Sequence, residues 1–337
     1  MRGQSVSVLV ACLAAGSPGA AMAVDWESIP YTPHSVYQAV NPNGTSAYAG
    51  GFPLRVRGVV LANTEDWLNP TPAYTPTYVP FAMGGQAELI VQSVDPGDFG
   101  GTFCWMGQNY GNLPFKGDSS FSYTNAEWIA ELGRLGLYGG DGVTQPIRKG
   151  DLIEVRARTG LFYGGKMNIN EAHDINPAKN FEVVLIQAGY GMPDPVPLSL
   201  GDLKDPANQF LFDPTRATGP EHYQATLVRL SNVRLTADSI GNWGINRDLM
   251  LEDETGRTLG ICLGFNPSFG SSAPPVGFFD VVGILDQADG STPHDSGYRL
   301  LAMNAGDFTA VPEPSSALLL VSVGSLMLVR RRHRDVA

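Results

Sequence analysis

The stretch GDLIEVRARTGLFYGGK, residues 150–166, carries the pattern on which the fold prediction depends. Apolar and charged side chains alternate along residues 153–158, which is the spacing of a strand with one buried and one exposed face. Gly160, Gly164 and Gly165 follow, and glycines permit the backbone conformations of tight reversals. The stretch therefore predicts a strand that continues into a hairpin.

Further strands are predicted on both sides of this hairpin. Residues 54–60 alternate around Gly58, as expected of a long half-buried strand bent at a glycine or a bulge. The other predicted strands are residues 86–94, 102–110, 181–188, 223–235, 249–252, 258–263, 278–285 and 298–303.

One amphipathic helix is predicted between the third and fourth of these strands. Thr124 or Asn125 can cap its start, and Gly139 with Gly140 is expected to end it. The apolar stripe consists of Trp128, Ile129, Leu132, Leu135 and Leu137.

The order of a long bent strand, two strands, a helix and a hairpin resembles the OB-fold, a small Greek-key barrel. The pattern partly repeats over residues 221–309, without a matching helix because residues 265–276 are rich in Pro, Ser and Gly. The resemblance implies an all-β protein with two tandem OB-like barrels, at residues 52–189 and 221–309. An irregular lead, residues 24–51, precedes them, and a Pro-rich connector, residues 190–220, joins them.

Residues 1–23 have the composition of a secretory signal peptide. Arg2 supplies the positive charge, residues 6–15 the apolar stretch, and Ala21 and Ala23 the small-residue cleavage site. The sequence therefore predicts an N-terminal signal helix, export by the Sec machinery and a mature chain that begins at Val24.

The other end of the chain resembles the PEP-CTERM sorting tag. Pro312, Glu313 and Pro314 are followed by an apolar run at residues 317–329 and a basic cluster at residues 330–334. The cluster includes Arg330, Arg331 and Arg332. Order, spacing and position all agree with that family over residues 311–337.

This resemblance implies recognition by an exosortase, a membrane protease that cuts near the Pro-Glu-Pro and passes the protein to the surface. The 13 residues of the apolar run would form a helix about 20 Å long, short of the roughly 30 Å hydrocarbon core. Flanking arginines can extend this marginal span and hold the C-terminus in the cytoplasm. The expected location is the cell surface or the exterior, after transient anchoring in the inner membrane.

The charge of the chain limits its partners. It carries 33 acidic and 22 basic residues, a net charge of −11. Loss of both terminal segments would leave a body with a net charge of about −14. Such a body repels phosphate backbones, so tight sequence-independent binding of nucleic acid is disfavoured. Its two cysteines, Cys104 and Cys262, could pair or be buried separately, and separate burial is favoured.

The densest polar cluster of the body contains Glu171, His173 and Asp174. At strand spacing Glu171 and His173 share a face, so with a third ligand they could bind a divalent cation. The alternative is a hydrogen-bonded strand end without metal. A second oxygen-rich loop, with Asp286 and Asp289, lacks the spacing of known calcium loops and is expected to be a solvated turn.

Three aromatic residues lie where OB barrels stack bases or sugars, across the second and third strands. They are Phe103, Trp105 and Tyr110, and the first two share one face of a strand. Periodicity does not decide whether that face lines the core or a groove. Burial in the core is the favoured interpretation, and stacking on a ligand is the alternative.

No serine-hydrolase elbow, Walker loop, His-Glu-x-x-His or paired Cys-x-x-Cys occurs. The sequence therefore favours a non-catalytic surface or matrix protein that engages a polysaccharide or another surface polymer. Two alternatives stay open. One is an OB-fold accessory protein of an extracellular nuclease system that binds single-stranded nucleic acid, and the other is a metal-dependent hydrolase that uses Glu171 and His173.

Overall fold

The strand patterns of the sequence form two sheets in the computed structural model, which describes residues 24–72, 84–137 and 146–311. The chain is mostly β, with a closed five-stranded barrel and a second sheet. The strands of the described residues are β1 (Leu54–Val60), β2 (Gln86–Gln92), β3 (Gly101–Gly107), β4 (Leu152–Ala157), β5 (Gly160–Tyr163), β6 (Lys166–Asn170), β7 (Phe181–Gln187), β8 (Val196–Leu198), β9 (Leu227–Leu235), β10 (Arg247–Glu252), β11 (Thr258–Leu263), β12 (Phe279–Gln287), β13 (Tyr298–Ala302) and β14 (Phe308–Ala310).

Short helices connect these strands. The α-helices are α1 (His34–Tyr37), α2 (Thr64–Trp67), α3 (Asn125–Arg134), α4 (Gly219–His222), α5 (Ala237–Ile240) and α6 (Ser268–Ser271). Turns of 3-10 helix lie at Trp26–Ser28, Tyr110–Asn112, Ser119–Phe121, Leu200–Asp202 and Ala305–Asp307.

The first sheet has the order β5-β6-β3-β2-β1-β4-β7. Strand β1 lies between β4, with which it pairs along most of its length, and β2, with which it pairs at its end. Gly58 permits the close approach of β2, because a Cβ there would lie 2.1 Å from the carbonyl oxygen of Gln92. Strands β4 and β5 stand near opposite ends of this order, but only Arg158 and Thr159 separate them along the chain. The short connection therefore brings the two ends of the sheet close together.

The second sheet closes on itself. Strand β9 pairs with β10, β10 with β11, β11 with β13 and β13 with β12. Strand β12 also pairs with β9, which completes the ring. In the first sheet β3 pairs in parallel with β6, and in the second β11 pairs in parallel with β13 and β8 with β9, while the other strand pairings are antiparallel.

Helix α3 covers one end of the first core. Thr124 and Glu127 form a capping box, in which the Thr124 hydroxyl accepts from the Glu127 amide at 3.3 Å. Trp128 and Leu132 are buried, whereas Ile129 is 43% exposed, contrary to its predicted place in the apolar stripe. The predicted end at Gly139 and Gly140 is also wrong. The helix ends at Arg134, because Gly136 adopts a positive φ of 69° that terminates it.

The segments around the second barrel contain more structure than the sequence indicated. Within the predicted connector, β8 pairs in parallel with β9, and Leu198, Leu200 and Leu203 are buried in the second core. The region predicted as a loop without a helix contains the single turn α6, with Phe269 buried. The predicted irregular lead packs on the first core through Tyr37, which is fully buried.

The two halves share a third apolar cluster. Ile90 and Phe103 of the first half meet Leu227, Ile284 and Leu301 of the second. Three hydrogen bonds also cross this contact. The Leu227 amide donates to Gln92 Oε1 at 2.8 Å, and Asn266 Nδ2 donates to Asp66 Oδ1 at 2.7 Å. The Asp289 amide donates to the Gly164 carbonyl at 3.1 Å. The halves are therefore packed against each other.

Cys104 and Cys262 are both free and buried, which confirms separate burial. Cys104 lies in the first core and Cys262 in the cluster between the halves. Burial raises the pKa of each thiol. Both therefore remain uncharged and unreactive at neutral pH.

Candidate functional site

A cleft of about 490 Å³ lies where the two halves meet, beside the shared apolar cluster. The first half contributes Trp67, Glu88 and Trp105 to its lining. The second half contributes Asp286 and Arg299. Its volume is within the range of pockets that bind small molecules or segments of polymers.

The floor of the cleft is the outer face of β2, β3 and β6. In the register of these strands Glu88 lies opposite Trp105, and Ile90 opposite Phe103. Residues of opposite parity, such as Leu89, point into the first core. The second half covers Ile90 and Phe103, and the remainder of this face, with Glu88 and Trp105, stays open to the cleft.

The structure separates the two residues of the aromatic pair, for which burial in the core was the favoured interpretation. Phe103 is buried, with 1% exposure, and lies in the apolar cluster between the halves. Trp105 is partly exposed and lines the cleft. Tyr110 is buried in the first core, with its ring centroid 5.9 Å from that of Trp105. Of the three candidate stacking residues, only Trp105 reaches the cleft.

Four charged residues meet at one end of the cleft, and three of them form ion pairs. Lys166 Nζ lies 2.7 Å from Asp286 Oδ1, and Arg299 Nε donates to Asp286 Oδ2 at 2.8 Å. Lys166 also donates to the carbonyl of Gln287. Burial by itself would raise the pKa of Asp286, but the two cations outweigh it and hold that pKa below its ordinary value. Asp286 is therefore ionised at neutral pH.

Glu88 is the fourth charged residue. Its Oε2 accepts a hydrogen bond of 2.6 Å from Trp67 Nε1. Burial, with the nearby charge of Asp286, raises the pKa of Glu88 to about 7, although Lys166 acts in the opposite direction. The group therefore changes its charge near neutral pH, unlike its neighbours.

Exposed rings form the walls of the cleft. Tyr163, at the end of β5, is 63% exposed and Phe115 is 66% exposed. The His173 ring contacts Trp105, Tyr110 and Phe115, with centroids 5.5–5.9 Å apart. Burial lowers the pKa of His173 to about 4, with a smaller effect of Lys116, so the ring is neutral above that pH.

The predicted metal cluster does not assemble. Strand β6 ends at Asn170, and His173 has a positive φ, so the strand spacing assumed for Glu171 and His173 does not apply. Glu171 is fully buried and accepts hydrogen bonds of 3.0 Å from the hydroxyls of Tyr110 and Tyr123. The described ranges contain no group of three or more His, Cys, Asp or Glu that could hold a metal ion.

Asp174 and Asp289, from the two oxygen-rich segments noted in the sequence, both have partners close to them along the chain. Asp174 Oδ2 pairs with Lys179 Nζ at 2.5 Å, and its Oδ1 accepts from the Asn176 amide. Asp289 accepts from the amides of Ser291 and Ser296 and so organises its turn. Both carboxylates are explained by these contacts.

A scan against known protein families finds no matching family model, and no curated protein matches the chain. The predicted signal segment with Ala21 and Ala23 lies outside the described residues. So does the predicted sorting segment, with Pro312, Glu313, Pro314 and the arginines at 330–332. Within the described part of the chain, no helix is both long and apolar enough to span a bilayer.

The sequence analysis missed most residues of the cleft. They come from seven separate segments of the chain, and no local motif joins them. A usable signal was nevertheless present, because Glu88, Asp286 and Arg299 are charged residues inside otherwise apolar strands. A charge at such a position is costly unless it is paired, so it points to a buried contact.

Proposed function

We propose that the protein is exported through its N-terminal signal, sorted to the cell surface by its C-terminal segment, and binds a glycan or another surface polymer in the cleft. The observation that carries the binding proposal is the open aromatic surface at the junction of the halves, formed by Trp67, Trp105 and Tyr163. Aromatic faces pack on sugar rings, so these side chains can support one face of a glycan.

We further infer that the two halves are tandem OB-like Greek-key barrels. The order of strand pairing supports this, because β1 pairs with β2 and β4 as β9 pairs with β10 and β12, and β3 pairs in parallel with β6 as β11 does with β13. In barrels of this kind the outer face of the second and third strands binds chains. Trp105 and Glu88 occupy the corresponding face of the first half.

Binding of single-stranded nucleic acid is the second candidate. Trp105 favours it, because an exposed ring on this face can stack on a base. The net charge of −11 opposes it. A nucleic-acid ligand should bind most tightly at low salt and weaken steeply as salt is added, whereas a neutral glycan should be insensitive to salt.

A glycan array followed by calorimetry on the strongest ligand tests the binding proposal. We expect Tyr163→Ala and Trp105→Ala to weaken binding roughly tenfold, because each removes a ring from the cleft. Tyr190→Ala is the matched control, since Tyr190 is 47% exposed and does not line the cleft. Equal affinity of all three variants and the unmodified protein would contradict the proposal.

The export proposal is tested separately, by mass spectrometry of the protein isolated from the surface of its native host. We expect the chain to begin at Val24 and to end near Pro314. Recovery of the intact 337-residue chain from the cytosol would contradict it.

A further inference from the structure

The charged end of the cleft has an incomplete set of partners. Arg299 is 33% exposed, and within residues 24–72, 84–137 and 146–311 its hydrogen bonds go to Asp286 alone, through Nε. The remainder of its guanidinium therefore keeps donors for a ligand. Lys166 is nearly buried, with 9% exposure, and is already shared between Asp286 and the carbonyl of Gln287.

The charge of this end depends on Glu88. When Glu88 is ionised, its charge and those of Asp286 and Asp248 oppose the two cations, with Asp248 acting on Arg299. When Glu88 is protonated, this end of the cleft loses one negative charge, while Lys166 and Arg299 keep their contacts to Asp286. A protonated carboxyl group also becomes a hydrogen-bond donor.

We propose that this end of the cleft holds the carboxylate of an acidic sugar unit, which accepts hydrogen bonds from the Arg299 guanidinium and from Glu88 in its carboxylic acid form. This inference rests on the proposed function and names the chemical class of its ligand. A planar carboxylate matches the fork of a guanidinium, and protonation of Glu88 removes a negative charge that would repel it.

A glycan with scattered carboxylates fits better than a nucleic-acid strand. The cleft offers one position for an anion, and the chain as a whole has a net charge of −11. A strand with a phosphate at every nucleotide would meet repulsion along its length. A mostly neutral glycan would meet repulsion only at its few acidic units, while its ring faces pack on Trp105 and Tyr163.

Glu88 is the group expected to titrate during binding. Asp286 from β12 and Arg299 from β13 act on it and keep their charges near neutral pH, and Lys166 from β6 also faces it. Asp248 from β10 acts on Arg299. Trp67 from α2 donates to it and carries no charge. Among other nearby groups, Cys104 stays protonated and the His173 ring stays neutral between pH 6 and 8.

Calorimetry with trigalacturonate, and with the same trisaccharide reduced at its carboxyl groups, tests this inference at pH 6 and pH 8. With Glu88 half-ionised at about pH 7, the competent form falls about tenfold between these values. We therefore expect trigalacturonate to bind about tenfold more weakly at pH 8 than at pH 6. The reduced trisaccharide should bind more weakly than trigalacturonate at pH 6 and equally at both pH values.

Two variants separate this mechanism from a general effect of pH. Glu88→Gln keeps a neutral side chain that can accept from Trp67 and donate to the ligand, so it should bind trigalacturonate with the same affinity at pH 6 and pH 8. Arg299→Lys keeps the positive charge but loses the planar fork, so it should weaken trigalacturonate roughly tenfold and leave the reduced sugar unaffected.

Equal binding of the acidic and the reduced sugar would overturn the inference and leave the proposed function standing. The same pH dependence in Glu88→Gln as in the unmodified protein would also overturn it. Absence of binding to both sugars would overturn it too. The proposed function itself is contradicted only by its own tests, namely an array without any ligand or unchanged affinity in the Tyr163→Ala and Trp105→Ala variants.

Discussion

At the scale of the residue, Glu171 illustrates how burial controls a carboxyl group that resembled a metal ligand in the sequence. Burial raises its pKa to about 7, although the hydroxyls of Tyr110 and Tyr123 act in the opposite direction. The folded chain therefore holds this proton more tightly than the unfolded chain. The stabilising contribution is complete below pH 4.5, the ordinary pKa, and is lost as the pH rises through about 7.

We expect Glu171→Gln to remove this pH dependence, because an amide carries no charge at either pH. Between pH 5 and pH 8 the free energy of unfolding of the variant should rise relative to that of the unmodified protein by about 2 kcal/mol. Denaturant titrations at several pH values measure this difference. Glu254→Gln is the control, because Glu254 is exposed, and its curve should run parallel to that of the unmodified protein. A parallel curve for Glu171→Gln would contradict the assignment.

At the scale of the element, α3 depends on a small set of local contacts at its start. Thr124 caps the helix, and Glu127 Oε2 accepts from the Thr124 amide at 2.8 Å. The helix then buries Trp128 and Leu132 against the first core. Helices this short need such caps, since packing on one face stabilises only a few turns.

Replacement of the capping hydroxyl tests this. Thr124→Ala should lower the free energy of unfolding by about 1 kcal/mol, because the Glu127 amide loses its acceptor. Thr309→Ala, on an exposed position of the edge strand β14, should change it by less than about 0.5 kcal/mol. Equal stability of the two variants, measured by thermal unfolding, would show that the cap contributes little.

Elements with a regular pattern could be predicted well from the sequence. The alternation along residues 153–158 located β4, and Thr124 located the start of α3. Errors arose where two local signals compete. Gly139 and Gly140 suggested the end of α3, but Gly136 comes first along the chain and ends the helix. Ile129 fits an apolar stripe by spacing, yet no neighbouring element covers it.

At the scale of the whole molecule, the ion pairs around Asp286 link the two halves. Lys166 belongs to the first half and Asp286 to the second, and their side chains are 9% and 3% exposed. Partners that are this buried depend on each other, because loss of one leaves the other charge without compensation.

Asp286→Asn should therefore lower the free energy of unfolding by about 3 kcal/mol, since it leaves Lys166 and Arg299 without their counter-charge. Glu252→Gln is the comparison, because it breaks the more exposed ion pair with Arg234 and should cost less than about 1 kcal/mol. Denaturant unfolding of both variants checks the contrast. A loss as small for Asp286→Asn as for Glu252→Gln would contradict a structural role for the buried pair.

The cleft could not be predicted from the sequence for a reason that belongs to this scale. Periodicity places Trp105 and Phe103 on one face of β3, but it cannot predict that the second half of the chain covers Phe103 and leaves Trp105 open. The charged partners of Glu88 are separated from it by 78 residues or more along the chain, and Lys166 is the nearest of them. Only the docking of the halves brings these groups together.

The strand β8 has a further consequence for the way a ligand arrives. Pairing with β9 fixes the segment between the halves, and the shared apolar cluster fixes the contact between them. We therefore expect the two walls of the cleft to keep a constant separation. A polymer can then bind to a preformed cleft, and no opening step has to precede binding. In stopped-flow mixing, the observed rate of capture should climb in proportion to polymer concentration, without the plateau that a slow opening step would impose.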